Sequence, residues 1–218
     1  MGRMSEEVEA APAATPAAGA ATRKLPPGSI LRAFGFLCLC LASGIAGYLG
    51  WLLWGTGLET QRAQNELRQA FQEELRHTGP PNGAVRLPGD AVYDLVIPRL
   101  DLDMIVVEGT ETADLQKGPG HYAKTADPWD DTGRVGIAGH RTTYLHPFLH
   151  LDRLKHGDRI TLKTEYGTFG YSVLRVFVIP EAGSGRVLDQ SKRPTLVLTT
   201  CNPVYASYER LIVTAARV

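Results

Sequence analysis

The chain has 218 residues, enough for one ordinary domain with extensions, and its 23 basic and 23 acidic side chains cancel. With a balanced charge nothing points to a nucleic-acid surface or a strongly acidic partner, so no nucleic-acid partner is expected. The three cysteines include two inside an apolar run and form no Cys-x-x-Cys pair, which excludes a disulfide framework and a structural zinc site.

Residues 1–28 are rich in Ala and Pro and lack any apolar period, so a disordered head is expected. Residues 29–58 are expected to form a membrane anchor, because Ala33 to Leu58 carries no charge and is long enough to cross a bilayer as a helix. Tyr48, Trp51 and Trp54 gather at its far end, where amphipathic rings prefer the membrane–water boundary. A cleaved signal peptide ending near "LASGIAG" fits less well, since the apolar run continues past that point. Arg32 abuts the run and favours a cytoplasmic N-terminus, although Arg62, Arg68 and Arg76 follow the other end.

Residues 59–89 read as a helical stalk and linker. Ala63, Leu67, Ala70, Phe71 and Leu75 recur at helical spacing, which predicts one narrow apolar face over Glu59–His77. "TGPPNG" then breaks the helix. From residue 90 to 218 the texture is β. Short runs rich in Val, Ile, Thr and Tyr are separated by Gly, Pro and Asp, and seven or eight strands in that length predict a mainly β barrel or sandwich. "EYG" at Glu165–Gly167 predicts a hairpin loop.

Of the six histidines, His77 falls in the stalk and His156 in a turn, "KHGD". His146 and His150 lie four apart, a metal-ligand spacing on a helix, but Pro147 intervenes and no third ligand is evident, so no metal is expected. "DDTG" at Asp130–Gly133 matches the aspartic-protease triplet, yet it occurs once and lacks the second aspartate, so a turn is expected. His140 ends the strand-like run "GRVGIAGH", and Cys201 ends "TLVLTTC". If both strands end at the same rim of a barrel, an imidazole and a thiol come together there. Cys201 is by residue type either a small buried hydrophobe or a reactive thiol. If the strands ending at Cys201 and starting at Arg210 pair antiparallel, Cys201 and Arg210 stand opposite each other on one face. Arg210 then either lends charge and donors to the sulfur or pairs with a surface carboxylate.

"GIAGHRTTYLHPFLHLDRLKHGD" followed by "LVLTTCNPVYASYERLIV" resembles the sortases, membrane-anchored cysteine transpeptidases of Gram-positive bacteria, and most of all class E of high-GC species. The resemblance covers residues 90–218. It implies a closed eight-stranded sortase-type β-barrel with short helices, no cofactor, Cys201 as nucleophile, His140 as its acid–base partner and Arg210 as stabiliser of substrate and oxyanion. It further implies a substrate pocket involving Tyr122, Thr200, Thr142, Thr143 and, as pocket lining, His121. The implied reaction cleaves a secreted protein's sorting signal, Leu-Ala-x-Thr-Gly or Leu-Pro-x-Thr-Gly, between Thr and Gly. The acyl group then passes through a thioester to a peptidoglycan-precursor or pilin amine. Such substrates place the barrel outside a single-pass anchor and the head in the cytoplasm.

With ordinary pKa values near 8.5 for Cys and 6.5 for His, about 1% of molecules would hold thiolate and imidazolium together, so a slow enzyme with a bell-shaped pH–rate curve is expected. Papain-like and NlpC/P60 peptidases are disfavoured because their cysteine precedes the histidine. An L,D-transpeptidase is disfavoured because Thr200 precedes Cys201 and Pro203 stands where its arginine would be. A membrane-anchored β-domain that binds a partner through a structural Cys201 is the non-enzymatic alternative.

Overall fold

The computed structural model describes residues 27–51, 55–76, 87 and 89–218. Most of the expected head and the 78–83 linker, together with His77, lie outside the described residues. Contacts divide the chain into two units, Met1–Ile45 and Ala46–Val218. Helix α1 spans Pro27–Gly50, and its Leu31–Gly50 stretch is apolar, unburied and long enough to cross a membrane. The anchor is expected over residues 29–58, of which residues 52–54 lie outside the described residues. Thr56–Leu58 already belong to α2 (Thr56–Arg76), where Thr56 is buried.

Eight strands close into a barrel: β1 Ala91–Ile97, β2 Leu102–Glu108, β3 Gly120–His121, β4 Arg134–Ala138, β5 Arg159–Thr164, β6 Gly167–Pro180, β7 Thr195–Asn202 and β8 Glu209–Arg217. Their order around the barrel is β1-β2-β3-β4-β7-β8-β6-β5, with β2/β3 and β4/β7 parallel and the remaining pairs antiparallel. A four-residue helix, α3 (Thr112–Leu115), lies between β2 and β3. Alternation sets the two faces of each strand. Val135 and Ile137 of β4, Leu196 and Leu198 of β7, and Leu211, Val213 and Ala215 of β8 enter the core. Gly136, Thr199, Cys201, Arg210 and Ile212 therefore fall on the opposite, outward face.

Helix α2 buries a face that matches only in part the one its apolar spacing predicts. Thr56, Thr60, Gln64 and Phe71 are buried, whereas Leu67 is half-buried and Ala70 and Leu75 are exposed. The cause lies in β2. Strand β3 is only two residues long and covers β2 at Val107 and Glu108 alone. The edge around Ile105 is left without a strand, and backbone polar groups there need partners. Gln64 supplies them: its Oε1 accepts from Ile105 N at 2.8 Å, and its Nε2 donates to Ile105 O and Lys117 O, both at 2.9 Å. Thr60 adds a 2.8 Å bond to Gln116 O, and Arg68 pairs with Asp103 at 2.6 Å. A Gln64→Leu variant keeps the volume but strands these buried groups. It is expected to lose about 2–3 kcal/mol of stability, measured by urea unfolding.

Candidate active site

The parallel pairing of β4 with β7 brings their C-terminal ends to one rim, and antiparallel β8 begins at the same rim. The register puts Cys201 opposite Arg210, as expected from the two strand ends. His140 follows β4 by two residues, and its neighbours on both sides bond to the end of β7. Gly139 N donates to Thr199 O at 3.1 Å, Thr200 Oγ1 donates to Gly139 O at 2.7 Å, and Arg141 Nη1 donates to Cys201 O at 3.2 Å. The segment that carries His140 thus meets the open ends of the adjacent strands β7 and β8 at this rim.

The His140 side chain is shaped by the loop that follows. Tyr144, Leu145 and His146 adopt consecutive positive φ values of 52°, 60° and 40°, and this tight reversal returns the Tyr144 ring to within 4.8 Å of the imidazole. Fully buried Phe148 then locks the loop. Its N–H donates to His140 O at 3.1 Å, and its ring fills the space where a Cβ on Gly139 would lie, only 2.6 Å away. Only glycine fits there. Nε2 of His140 is buried with no partner among the described residues, and burial holds the imidazole below its ordinary pKa. The neutral ring is favoured.

Cys201 is half-buried and free. Arg210 extends along the rim with its guanidinium one-quarter exposed, donating from Nη1 to Ser207 O (2.7 Å) and Glu209 O (3.0 Å) and from Nη2 to Glu181 (3.2 Å). The surface-carboxylate partner considered for this arginine is therefore present. On the same outward face, Tyr122 donates to or accepts from Thr199 Oγ1 at 3.0 Å. A cavity of about 120 Å³ lies among Tyr122, Leu188, Thr199, Arg210 and Ile212. A second cavity of about 510 Å³, lined by Thr110, Tyr122, Lys124, Leu188 and Asp189 among others, shares the Tyr122–Leu188 wall. The 3-10 turn Ser184–Leu188 roofs both.

Two expected pocket residues face elsewhere. His121 is buried behind the groove, with Nδ1 at 3.0 Å from Glu108 and Nε2 at 3.1 Å from Thr125 Oγ1, because adjacent residues at the end of β3 point to opposite sides. Thr200 is buried too, its hydroxyl committed to Gly139 O. Thr142 and Thr143 are half-buried in the loop after His140, where Thr143 O accepts from His146 N at 2.8 Å. That loop is not helical, so His146 and His150 share no helical face. Among the described residues no cluster of three or more His, Cys, Asp or Glu is arranged to hold a metal. Sequence reasoning missed Glu181 and Leu188, which come from the β6–β7 connection and carry no motif. It also missed Arg141, whose place beside His140 gave no sign of burial.

A family model for the sortase domain matches residues 95–218. The chain is similar to sortase D of Bacillus subtilis, 30% identical over 168 residues that cover 73% of this chain and 83% of that protein. It is also similar to sortase SrtE1 of Streptomyces coelicolor, 28% identical over 225 residues, covering 95% of this chain and 64% of that one. Among solved structures, a Clostridium perfringens sortase D5 transpeptidase superposes with a TM-score of 0.66 at 25% identity, covering 72% of this chain and 99% of that chain. Sortase E1 of Streptomyces coelicolor with a tripeptide in its active site superposes with a TM-score of 0.57 at 32% identity, covering 62% and 91%.

Proposed function

The chain belongs to the sortase family, with similarity to class E, and on that premise we propose that it is a cysteine transpeptidase acting through Cys201, His140 and Arg210. The Cys201 thiolate attacks a peptide carbonyl. Imidazolium His140 protonates the departing amine through its unpartnered Nε2, and a thioester remains. An incoming amine then returns its proton to His140 and takes the acyl group, freeing the thiolate. Arg210 offers donors to the carbonyl oxygen as charge develops on it. The observation that carries this reading is the meeting of the His140 segment with the open ends of β7 and β8 at one rim, with the groove past Tyr122 opening beside them.

The substrate is a secreted protein with a Leu-Ala-x-Thr-Gly or Leu-Pro-x-Thr-Gly sorting signal, cut between Thr and Gly. The acceptor is a peptidoglycan-precursor or pilin amine. Both reactants are at the outer membrane surface, so the barrel belongs outside, tethered by α1, with the N-terminus in the cytoplasm.

The full chain in detergent, given fluorogenic peptides of both sequences, is expected to release the Gly-containing product and, with an added amine, to form the transfer product. Its pH–rate curve should be bell-shaped. The acid limb marks where the imidazole becomes protonated. Burial lowers that pKa, so the limb should fall below pH ~6.5. The same shift thins the imidazolium at neutral pH and keeps the enzyme slow. An acid limb above 6.5, or none, would contradict the pairing of His140 with Cys201.

A further inference from the structure

We propose that Arg141, Asn202 and Glu209 form a positioning relay that fixes His140, Cys201 and Arg210 relative to one another. Each is the immediate chain neighbour of one residue of the catalytic trio, and each is bonded to the next. Arg141 is buried and donates from Nη1 both to the backbone carbonyl of Cys201 at 3.2 Å and to Oδ1 of Asn202. Asn202 in turn donates its Nδ2 to Glu209 Oε2 at 2.5 Å. Nη2 of the guanidinium lies 3.6 Å from Asp152, which is half-exposed at 54% and anchors the far end.

The arrangement follows from alternation. Asn202 and Glu209 are a register pair on β7 and β8, one step from the Cys201–Arg210 pair, so they share the face opposite to the groove. Arg141 reaches that same rear face from the residue after His140. A cation, a neutral amide and an anion in that order polarise the amide in one direction, so its oxygen points to Arg141 and its nitrogen to Glu209. Sulfur, imidazole and guanidinium belong to three separate strand ends, and the β4–β7 ladder runs out at Ala138 and Thr199, short of all three. Side-chain bonds across the rear of the rim add what ladder pairing at a strand end lacks. Since a misplacement near 1 Å can cost about a hundredfold in rate, such bonds bear directly on turnover. These three act through their neighbours and touch no reactant.

The relay rests on the proposed function, and the test separates the two. In the full chain, Asn202→Asp preserves shape and the acceptor for Arg141 but sets a carboxylate against Glu209. Adding Glu209→Gln restores a donor, so the relay closes again with the same number of bonds. The expected result is a ten- to hundredfold fall in kcat for Asn202→Asp, with KM within about twofold and an unchanged Tm, and recovery to within about threefold in the double variant. A parental kcat for Asn202→Asp, or a loss the second change fails to recover, overturns the relay. If Asn202→Asp does not fold, Arg141→Lys serves in its place: a tenfold fall in kcat at constant KM supports the relay, and a parental kcat overturns it. Should Cys201→Ala transfer peptide as well as the parent, the proposed function fails and takes the relay with it. An inactive Cys201→Ala beside a fully active Asn202→Asp removes the relay alone.

Discussion

Cys201→Ala is expected to form no acyl-enzyme at all while leaving the barrel folded. The chemical half of this expectation is total, since without the sulfur no thioester can form and neither His140 nor Arg210 can substitute as a nucleophile. The structural half follows from the place of the side chain. Cys201 is half-buried at the end of β7, outside the core formed by Leu196, Leu198, Val213 and their neighbours. What secures this position is main chain: the ladder pairing with Arg210 and the carbonyl held by Arg141, both of which alanine retains. The stability change should stay below about 1 kcal/mol, a Tm shift of a few degrees at most. Intact-mass spectra with a sorting-signal peptide check the first half, and a thermal melt checks the second. Alkylation gives a parallel test, provided modified residues are mapped, because Cys38 and Cys40 on α1 are also free and exposed. Acyl-enzyme in the alanine variant would dismiss Cys201 as the nucleophile.

The parts of this site that were legible in the sequence are those governed by strand alternation and short loops. "TLVLTTC" and "ERLIVTAARV" show the β pattern, and the Cys201–Arg210 register assumed for their antiparallel pairing is the one observed. The same alternation required His121 and Tyr122 to face opposite sides, and the adjacency of the two residues concealed it. Strand β3 was not legible, because two residues carry no period. Its brevity in turn creates the bare edge at Ile105 that draws Gln64 inward, so the buried face of α2 depends on a gap elsewhere in the chain. Arg141 was illegible for a related reason. A charged residue beside a histidine reads as solvated, and its partners Cys201 and Asn202 lie 60 and 61 positions further on.

Arg210→Lys should reduce acyl transfer at least a hundredfold, chiefly in kcat. The guanidinium is a planar fork, with one nitrogen committed to Ser207 O and Glu209 O and the other to Glu181. A lysine ammonium ends a flexible stem as a single point and cannot span the same carbonyls while offering a donor to a substrate oxygen. Losing one aligned donor to a developing oxyanion costs about a hundred- to a thousandfold in rate, which sets the expected size. The ion pair with Glu181 supplies the competing explanation, in which Arg210 merely ties the β8 start to the end of β6. The Glu181 carboxylate is 54% exposed, and a pair so open to water contributes about 0–1 kcal/mol. Glu181→Gln therefore distinguishes the two. It removes the charge yet keeps an acceptor for Nη2, so transfer should stay within a few-fold of the parent if Arg210 serves the reacting carbonyl. A loss in Glu181→Gln equal to that of Arg210→Lys would instead make the arginine a surface tie, because then the partner alone would account for everything the guanidinium does.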